Sequence, residues 1–260
     1  MIDLTTGQLT AWLSQLLWPF MRIGACFMVA PAFGAPGVPA RIRIVLAGAV
    51  ALLVAPLVPA PAGISPFSAQ GVLVTIQQVL IGVALGFSLQ LIFDAVSMGG
   101  QLLANSMGLS FAYNMDPIHG TETSVVGQLY GILVLLVFLS LNGHLYIIQV
   151  LVDGFRTLPV GTASLGPHGL WQIAVWGREI FAGALAIALP GVTALTIVNL
   201  AFGVMSRAAP ALNLFAVGFP ITLVLGLLIV LGSLPMLQST FLKLVADAFT
   251  LARHLLAPGA

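Results

Sequence analysis

Long apolar segments follow one another along most of this 260-residue chain, and they limit its possible folds more than any other feature. Charged residues make up 6% of the chain and hydrophobic residues 60%, whereas a soluble globular domain carries roughly 25% charged residues. Such a chain cannot cover its surface with polar groups in water. We therefore expect an integral membrane protein, or a buried member of a membrane-associated complex.

The lengths of these segments predict an all-α fold, with a single helical domain over residues 1–260 built from membrane-type helical hairpins. About six apolar segments are expected, and kinked or broken helices among them, since several segments are short or contain proline. The first is expected to be a retained membrane segment rather than a signal peptide, because no positively charged stretch precedes it. The segments cover approximately residues 9–30, 44–59, 72–96, 124–141 (resuming at 144–152), 180–205 and 221–234.

Prolines and polar stretches divide the second half of the chain. Pro190 with Gly191 is expected to break the fifth segment, and Pro235 to close the sixth. A polar-leaning connector is expected over residues 153–177. Residues 238–256 are predicted to form an amphipathic tail, because apolar residues recur there at three- and four-residue steps. Its apolar face holds Phe241, Leu244, Val245, Ala248, Leu251 and Leu255, opposite Lys243, Asp247 and Arg253.

Arg22 lies near the middle of the first apolar segment. A charged residue at that position costs a few kcal/mol on insertion scales and normally faces protein or water. Two interpretations stay open. The arginine either snorkels to the surface of a tilted or shallow helix, or it is the buried partner of Asp94 or another carboxylate.

Two pairs of glycines stand four residues apart inside apolar segments. Gly82 with Gly86 and Gly127 with Gly131 each form a small-xxx-small pattern, which lets helix backbones approach closely. We expect these four glycines to be helix-packing positions.

Residues 99–120 (GGQLLANSMGLSFAYNMDPIHG) form a central stretch that is too polar and glycine-rich for a lipid-facing helix. They are also too apolar for an ordinary solvated loop. Long loops without regular structure are usually functional or disordered, and non-helical backbone at membrane depth is tolerated only inside protein or along a water-filled cavity. The stretch is therefore either a surface connector or a segment folded into a pore or cavity between helices.

Residues 206–220 (SRAAPALNLFAVGFP) are expected to form a structural turn between the fifth and sixth segments, because prolines and a glycine recur in them. Arg207 and Asn213 are predicted to hydrogen-bond to backbone carbonyls that the turn leaves unpaired. The positions assigned to this turn are Ser206, Arg207, Pro210, Asn213, Phe215, Gly218, Phe219 and Pro220.

Motifs of catalysis and of cofactor binding are absent from the sequence. The four histidines are far apart, and Cys26 is the only cysteine, which argues against a disulfide or a thiolate metal site. No enzyme activity, metal or cofactor is predicted.

One alternative function for the chain is that of a secondary transporter, whose broken helices would bind a small solute near the membrane midplane.

Four stretches of the sequence resemble a known family. They are PAFGAPGVPARIRIVLAGAV, QQVLIGVALGFSLQLIFDAVSMGGQLLANSMGLSFAYNMDP, VFLSLNGHLYIIQVLVDGFRTLP and ALPGVTALTIVNLAFGVMSRAAPALNLFAVGFP. The pattern Ser-Arg-x-x-Pro-x-x-Asn-x-Phe-x-x-Gly-Phe-Pro in the last is the most specific. Together they span nearly the whole chain, which resembles the FliR/SctT family of type III secretion export-gate membrane proteins.

The resemblance implies a structural channel component of the flagellar export gate, located at the basal body in the bacterial inner membrane. It implies FliP-type and FliQ-type membrane proteins as partners, FlhB docking on the complex, and unfolded protein substrates in transit. Residues 99–120 would be the plug of the closed channel, with methionines and aromatic residues as an adaptable apolar seal. The implied plug residues are Met107, Gly108, Phe111, Tyr113, Met115, Asp116 and Pro117.

Overall fold

A computed structural model describes residues 6–35, 37–58, 64–109, 124–161, 164–208 and 218–257, with side chains from Trp12 onward. Helices account for nearly all of these ranges, and no strand occurs in them. The predicted all-α, membrane-type fold is confirmed. The helices are α1 (Thr6–Val29), α2 (Ala40–Val54, extended by a 3-10 turn at Ala55–Leu57), α3 (Ala69–Ser106), α4 (Val125–Ser140), α5 (Gly143–Thr157), α6 (Pro167–Trp176), α7 (Arg178–Ala208) and α8 (Phe219–Leu255).

Within the described ranges, four stretches of helix are long and apolar enough to cross a membrane, at Ala40–Leu57, Ala69–Ser106, Pro167–Ala208 and Phe219–Leu255. A fifth is reached if α4 and α5, which are bent by 64° at the break between them, together form one span. Helix α1 is not among these stretches. At 38 residues, α3 is about 57 Å long at 1.5 Å per residue, well beyond a hydrocarbon core of about 30 Å.

Serine side chains cap the starts of α3 and α4. Ser68 caps α3, since its Oγ accepts a hydrogen bond from the Gly71 amide at 3.1 Å, and Ser124 caps α4 through the Gly127 amide at 3.0 Å. A serine at the N-cap satisfies one of the amides that the first turn leaves unpaired. Between α4 and α5, Asn142 adopts a left-handed conformation with φ of 57°, which asparagine tolerates better than most residues.

Two compact units divide the chain. Unit 1 comprises Met1–Gln90, Phe138–Trp176 and Ala246–Ala260. In it, α1 and α2 run antiparallel, with Gly24 beside Ala47 and Gly48 beside Phe20. Unit 2 comprises Leu91–Val137 and Gly177–Val245.

The prolines that were expected to interrupt the later helices lie inside them. Pro190 stands within α7 and Pro235 within α8, so the predicted breaks at both positions are wrong. A break in an apolar helix would leave several backbone groups unpaired, which costs more in hydrocarbon than the single hydrogen bond that a proline removes. The predicted connector over residues 153–177 is also wrong in part. Residues 153–157 are the end of α5, and residues 167–176 are α6, which starts at Pro167, a residue favoured at the first helical position.

The predicted tail is the last part of α8. Its apolar face packs inward, with Phe241, Ala248 and Leu255 at most 1% exposed, whereas Lys243 and Arg253 are exposed. Phe241 makes an edge-to-face contact with Phe93 inside unit 2, with ring centroids 5.3 Å apart.

Candidate functional site

The first third of the predicted central stretch is helical. Residues 99–106 are the last two turns of α3, so the expectation of non-helical backbone from Gly99 onward is wrong. The glycines there serve close packing. A Cβ at Gly99 would lie 3.1 Å from the Ala184 carbonyl oxygen of α7, and one at Gly100 would lie 2.7 Å from the Gly127 Cα of α4. Helix α3 persists because these glycines let two neighbouring helices cover its polar-leaning end.

Helix α3 ends in a glycine cap. The Gly108 amide donates to the Asn105 carbonyl at 3.1 Å, and the Leu109 amide donates to the Ala104 carbonyl at 3.0 Å. Gly108 has a φ of 83°. These two bonds and the left-handed glycine define a Schellman motif, in which orphan carbonyls of the last turn are satisfied. The role of Gly108 in the structure is therefore to end α3.

Met107 is fixed immediately before this cap. Its side chain is 1% exposed and lies directly against the Cα of Gly226 in α8, where a Cβ would overlap it. Leu103, one turn earlier, sits in the same way over Gly191 of α7. The remaining predicted plug residues, Phe111, Tyr113, Met115, Asp116 and Pro117, lie outside the described residues.

A groove of about 670 Å³ borders the end of α3 on the α7 side. Asn199 donates from Nδ2 to the Ser106 carbonyl at 3.1 Å, so α7 satisfies one more orphan carbonyl of α3. Among the described residues, the lining of this groove combines neutral hydrogen-bonding groups with the cation of Arg207. The groove is lined by Ser106, Thr196, Asn199, Leu200, Gly203, Val204 and Arg207.

The two predicted glycine pairs lie at helix crossings within this chain. A Cβ at Gly82 would overlap the Arg22 carbonyl oxygen of α1, and one at Gly86 would lie 2.7 Å from the Cys26 carbonyl oxygen. On α4, a Cβ at Gly127 would lie 2.8 Å from the Ser97 carbonyl oxygen of α3, whereas one at Gly131 would have an ordinary 3.4 Å contact with Ser97 Oγ. Three of the four positions therefore exclude any side chain.

The described ends of the predicted turn over residues 206–220 are helical. Ser206 and Arg207 belong to the last turn of α7, where the Ser206 hydroxyl donates to the Gly203 carbonyl at 2.9 Å. Placing them in a turn is wrong, because α7 runs on to Ala208 and the hydroxyl of a serine inside a helix can bond to the preceding turn. Phe219 and Pro220 are the first residues of α8, directly after Gly218. Pro210, Asn213 and Phe215 fall in the part of the chain that the structure leaves undescribed.

Arg22 is completely buried in unit 1, and both interpretations offered for it are wrong. Its Nε donates to Gln78 Oε1 at 2.7 Å, and its two terminal nitrogens donate to the Gly154 and Leu158 carbonyls at 3.0 and 2.9 Å. Its guanidinium also lies over the Phe155 ring, 4.1 Å from the centroid. Within the described ranges its hydrogen-bond partners are all neutral, so it neither snorkels nor pairs with a carboxylate.

Apolar side chains cover much of the exposed surface. Leu53, Phe67, Val125 and Val204 are each more than 70% exposed, which in water would mark an interaction or membrane surface. Across the described residues, no three His, Cys, Asp or Glu side chains are grouped so as to hold a metal ion. The fold and this surface define the chain as an all-α protein of the membrane type.

Comparison with known proteins identifies the family. The sequence model of bacterial export proteins, family 1, matches residues 13–248. The flagellar biosynthetic protein FliR of Pectobacterium carotovorum subsp. carotovorum is 40% identical over 98% of both chains. FliR of Escherichia coli (strain K12) is 36% identical, over 99% of this chain and 98% of its own. The chain belongs to this family of flagellar export proteins, and the resemblance drawn from its sequence motifs is confirmed.

Proposed function

We propose that this chain is a non-catalytic channel component of the flagellar type III export gate in the bacterial inner membrane. FliP-type and FliQ-type proteins would be its partners in the channel entrance, with FlhB docking on the complex and unfolded substrates passing through. Its family membership supports this proposal, and so does its exposed apolar surface, which needs either lipid or partner helices to cover it.

The observation that carries the gate proposal is the rigid end of α3. Met107 is buried and Gly108 caps the helix, so a fixed platform directly precedes residues 110–120. We propose that these residues plug the closed channel, and that Phe111, Tyr113 and Met115 supply its apolar seal. Methionine and aromatic side chains suit such a seal, since methionine adapts to varied contacts.

The transporter alternative loses its main support. It rested on a helix broken at Pro190 and Gly191, which would bind a solute at half-helix ends. Helix α7 is continuous through both residues, so no pair of half-helix ends meets there. The proposed role is therefore passage of protein substrates rather than binding of a small solute.

The test deletes the proposed plug and leaves the end of α3 unchanged. Deleting residues 110–115 keeps Met107, Gly108 and Leu109. It also keeps enough chain to join α3 to α4, whose backbones already meet at Gly100 and Gly127. We expect a complex that still assembles with FliP and FliQ but lets ions leak across the inner membrane, measured as loss of membrane potential in cells. A length-matched Gly-Ser replacement of the same residues separates loss of the seal from shortening.

Two results would contradict the proposals separately. An assembled deletion complex without leak would refute the plug and favour an exterior connector. Failure of the unaltered chain to co-purify with FliP and FliQ would instead refute the proposed partners, whatever the deletion does.

A further inference from the structure

We propose that Arg22 is a locking residue, which holds the C-terminal end of α5 against α1 and α3 and so keeps α1 packed in unit 1. One guanidinium joins three helices, since it bonds to Gln78 of α3 and to the Gly154 and Leu158 carbonyls at the end of α5. The three acceptors are separated from Arg22 by 56, 132 and 136 residues along the chain. The lock therefore forms only when distant parts of the chain are assembled.

The charge of Arg22 is compensated without a carboxylate among its described partners. The last carbonyls of an α-helix carry the negative end of its dipole, and a cation there is stabilised. Gly154 and Leu158 lie at that end of α5. Phe155 adds the negative face of its ring, 4.1 Å below the guanidinium, an arrangement that favours a cation when both groups are removed from water.

The backbone of Arg22 is fixed as firmly as its side chain. Its carbonyl oxygen lies directly against Gly82, where no Cβ can fit. One turn before it, Trp18 donates from Nε1 to Thr75 Oγ1 at 3.2 Å. The residues at 18, 22 and 26 form one face of α1, and all three are 0% exposed. Release of the side chain of Arg22 would therefore loosen the face of α1 that contacts α3.

Cys26 makes this loosening measurable. It is the only cysteine in the chain, it is completely buried, and it stands one turn after Arg22 on the same face. A maleimide can react with it only after α1 moves away from its neighbours. The rate of Cys26 alkylation in the full-length chain, purified in detergent, thus reports the opening of α1.

We expect Arg22→Met to accelerate alkylation by N-ethylmaleimide about tenfold or more, because it leaves buried acceptors without donors. Arg22→Lys should give an intermediate rate, since an ammonium cannot reproduce the forked bonding of a guanidinium. Gln78→Leu should accelerate alkylation in the unaltered chain but have less effect in the Arg22→Met background, because the bond it removes is already lost. The matched control is Arg156→Met, which removes an exposed arginine from the same end of α5.

A second reporter separates a local lock from general unfolding. Ala188 is 1% exposed in unit 2, so Ala188→Cys in a Cys26→Ser background reports on that unit. We expect Arg22→Met to leave its alkylation rate unchanged. Equal acceleration at both cysteines, no acceleration at Cys26, or equal acceleration by Arg156→Met would overturn the proposal. If Arg22→Met does not accumulate, Arg22→Lys and Gln78→Leu carry the test, and unchanged alkylation in both would refute it.

Discussion

Replacing Gly82 with alanine tests whether α1 and α3 pack through direct backbone contact. A Cβ at Gly82 would overlap the Arg22 carbonyl oxygen and lie 2.9 Å from the Ala25 Cβ. The first of these atoms belongs to the α1 backbone and cannot rotate away as the end of a side chain could. The two helices would have to move apart along this crossing, which also carries Gly86 and the Arg22 bonds.

Two opposing contributions determine how much Gly82→Ala changes the free energy of unfolding. Overpacking of a well-packed site costs typically about 1–3 kcal/mol, and a backbone contact places Gly82 at the upper end. Alanine is favoured over glycine inside a helix by about 1 kcal/mol. The net loss in the free energy of unfolding should then be about 2 kcal/mol, or roughly 30-fold in the equilibrium.

Gly232 offers a matched control in α8. A Cβ there meets nothing within 4 Å, so Gly232→Ala gains the helix preference without the overlap and should be neutral or stabilising. Thermal unfolding in detergent, followed by circular dichroism, and the alkylation rate of Cys26 measure both variants. If Gly82→Ala were as stable as Gly232→Ala, the close backbone contact between α1 and α3 would be refuted.

Three further substitutions test the packing of α4 against α3 and the cap that ends α3. Gly127→Ala should destabilise the chain by about 1–2 kcal/mol, because the added Cβ would overlap the Ser97 carbonyl oxygen. Gly131→Ala should be tolerated. Equal melting temperatures for the two variants would contradict the close packing at Gly127. Gly108→Ala should cost about 1 kcal/mol, because alanine is strained at positive φ. A circular dichroism melt of the Gly108→Ala variant that matches the unaltered chain would show that the cap does not contribute.

The apolar pattern of the sequence predicted the helices well, but it predicted their ends poorly. At Pro190 and Pro235 the sequence predicts breaks, because a proline inside a helix removes a hydrogen bond and kinks or ends the helix. Both are tolerated inside long apolar helices, where the alternative is a greater number of unpaired backbone groups. The cost of unpaired backbone groups also extends α3 through Gly99 and Gly100. Glycines are typical of loops, but these two lie against neighbouring helices.

The environment of Arg22 could not have been found from local patterns. Its acceptors are one amide side chain and two backbone carbonyls, and neither kind leaves a charge signature that would pair with an arginine. Carboxylates are the expected partners of a buried arginine, and the sequence therefore offers Asp94 as a candidate. Only the fold brings the end of α5 to α1, and a helix end can then take the place of a counterion.

The contacts around α3 restrict where a gate could move. Gly100 meets α4, Gly99 and Leu103 meet α7, and Met107 meets Gly226 of α8, so three helices hold the last turns of α3. Each of these contacts is made at a glycine, where separation of the helices would break many close-packed atomic contacts at once. A rearrangement of α3 itself would therefore be costly, whereas a change beyond the Gly108 cap would break none of these contacts. If residues 99–120 contain the proposed plug, residues 99–108 serve as its anchor and not as its moving part.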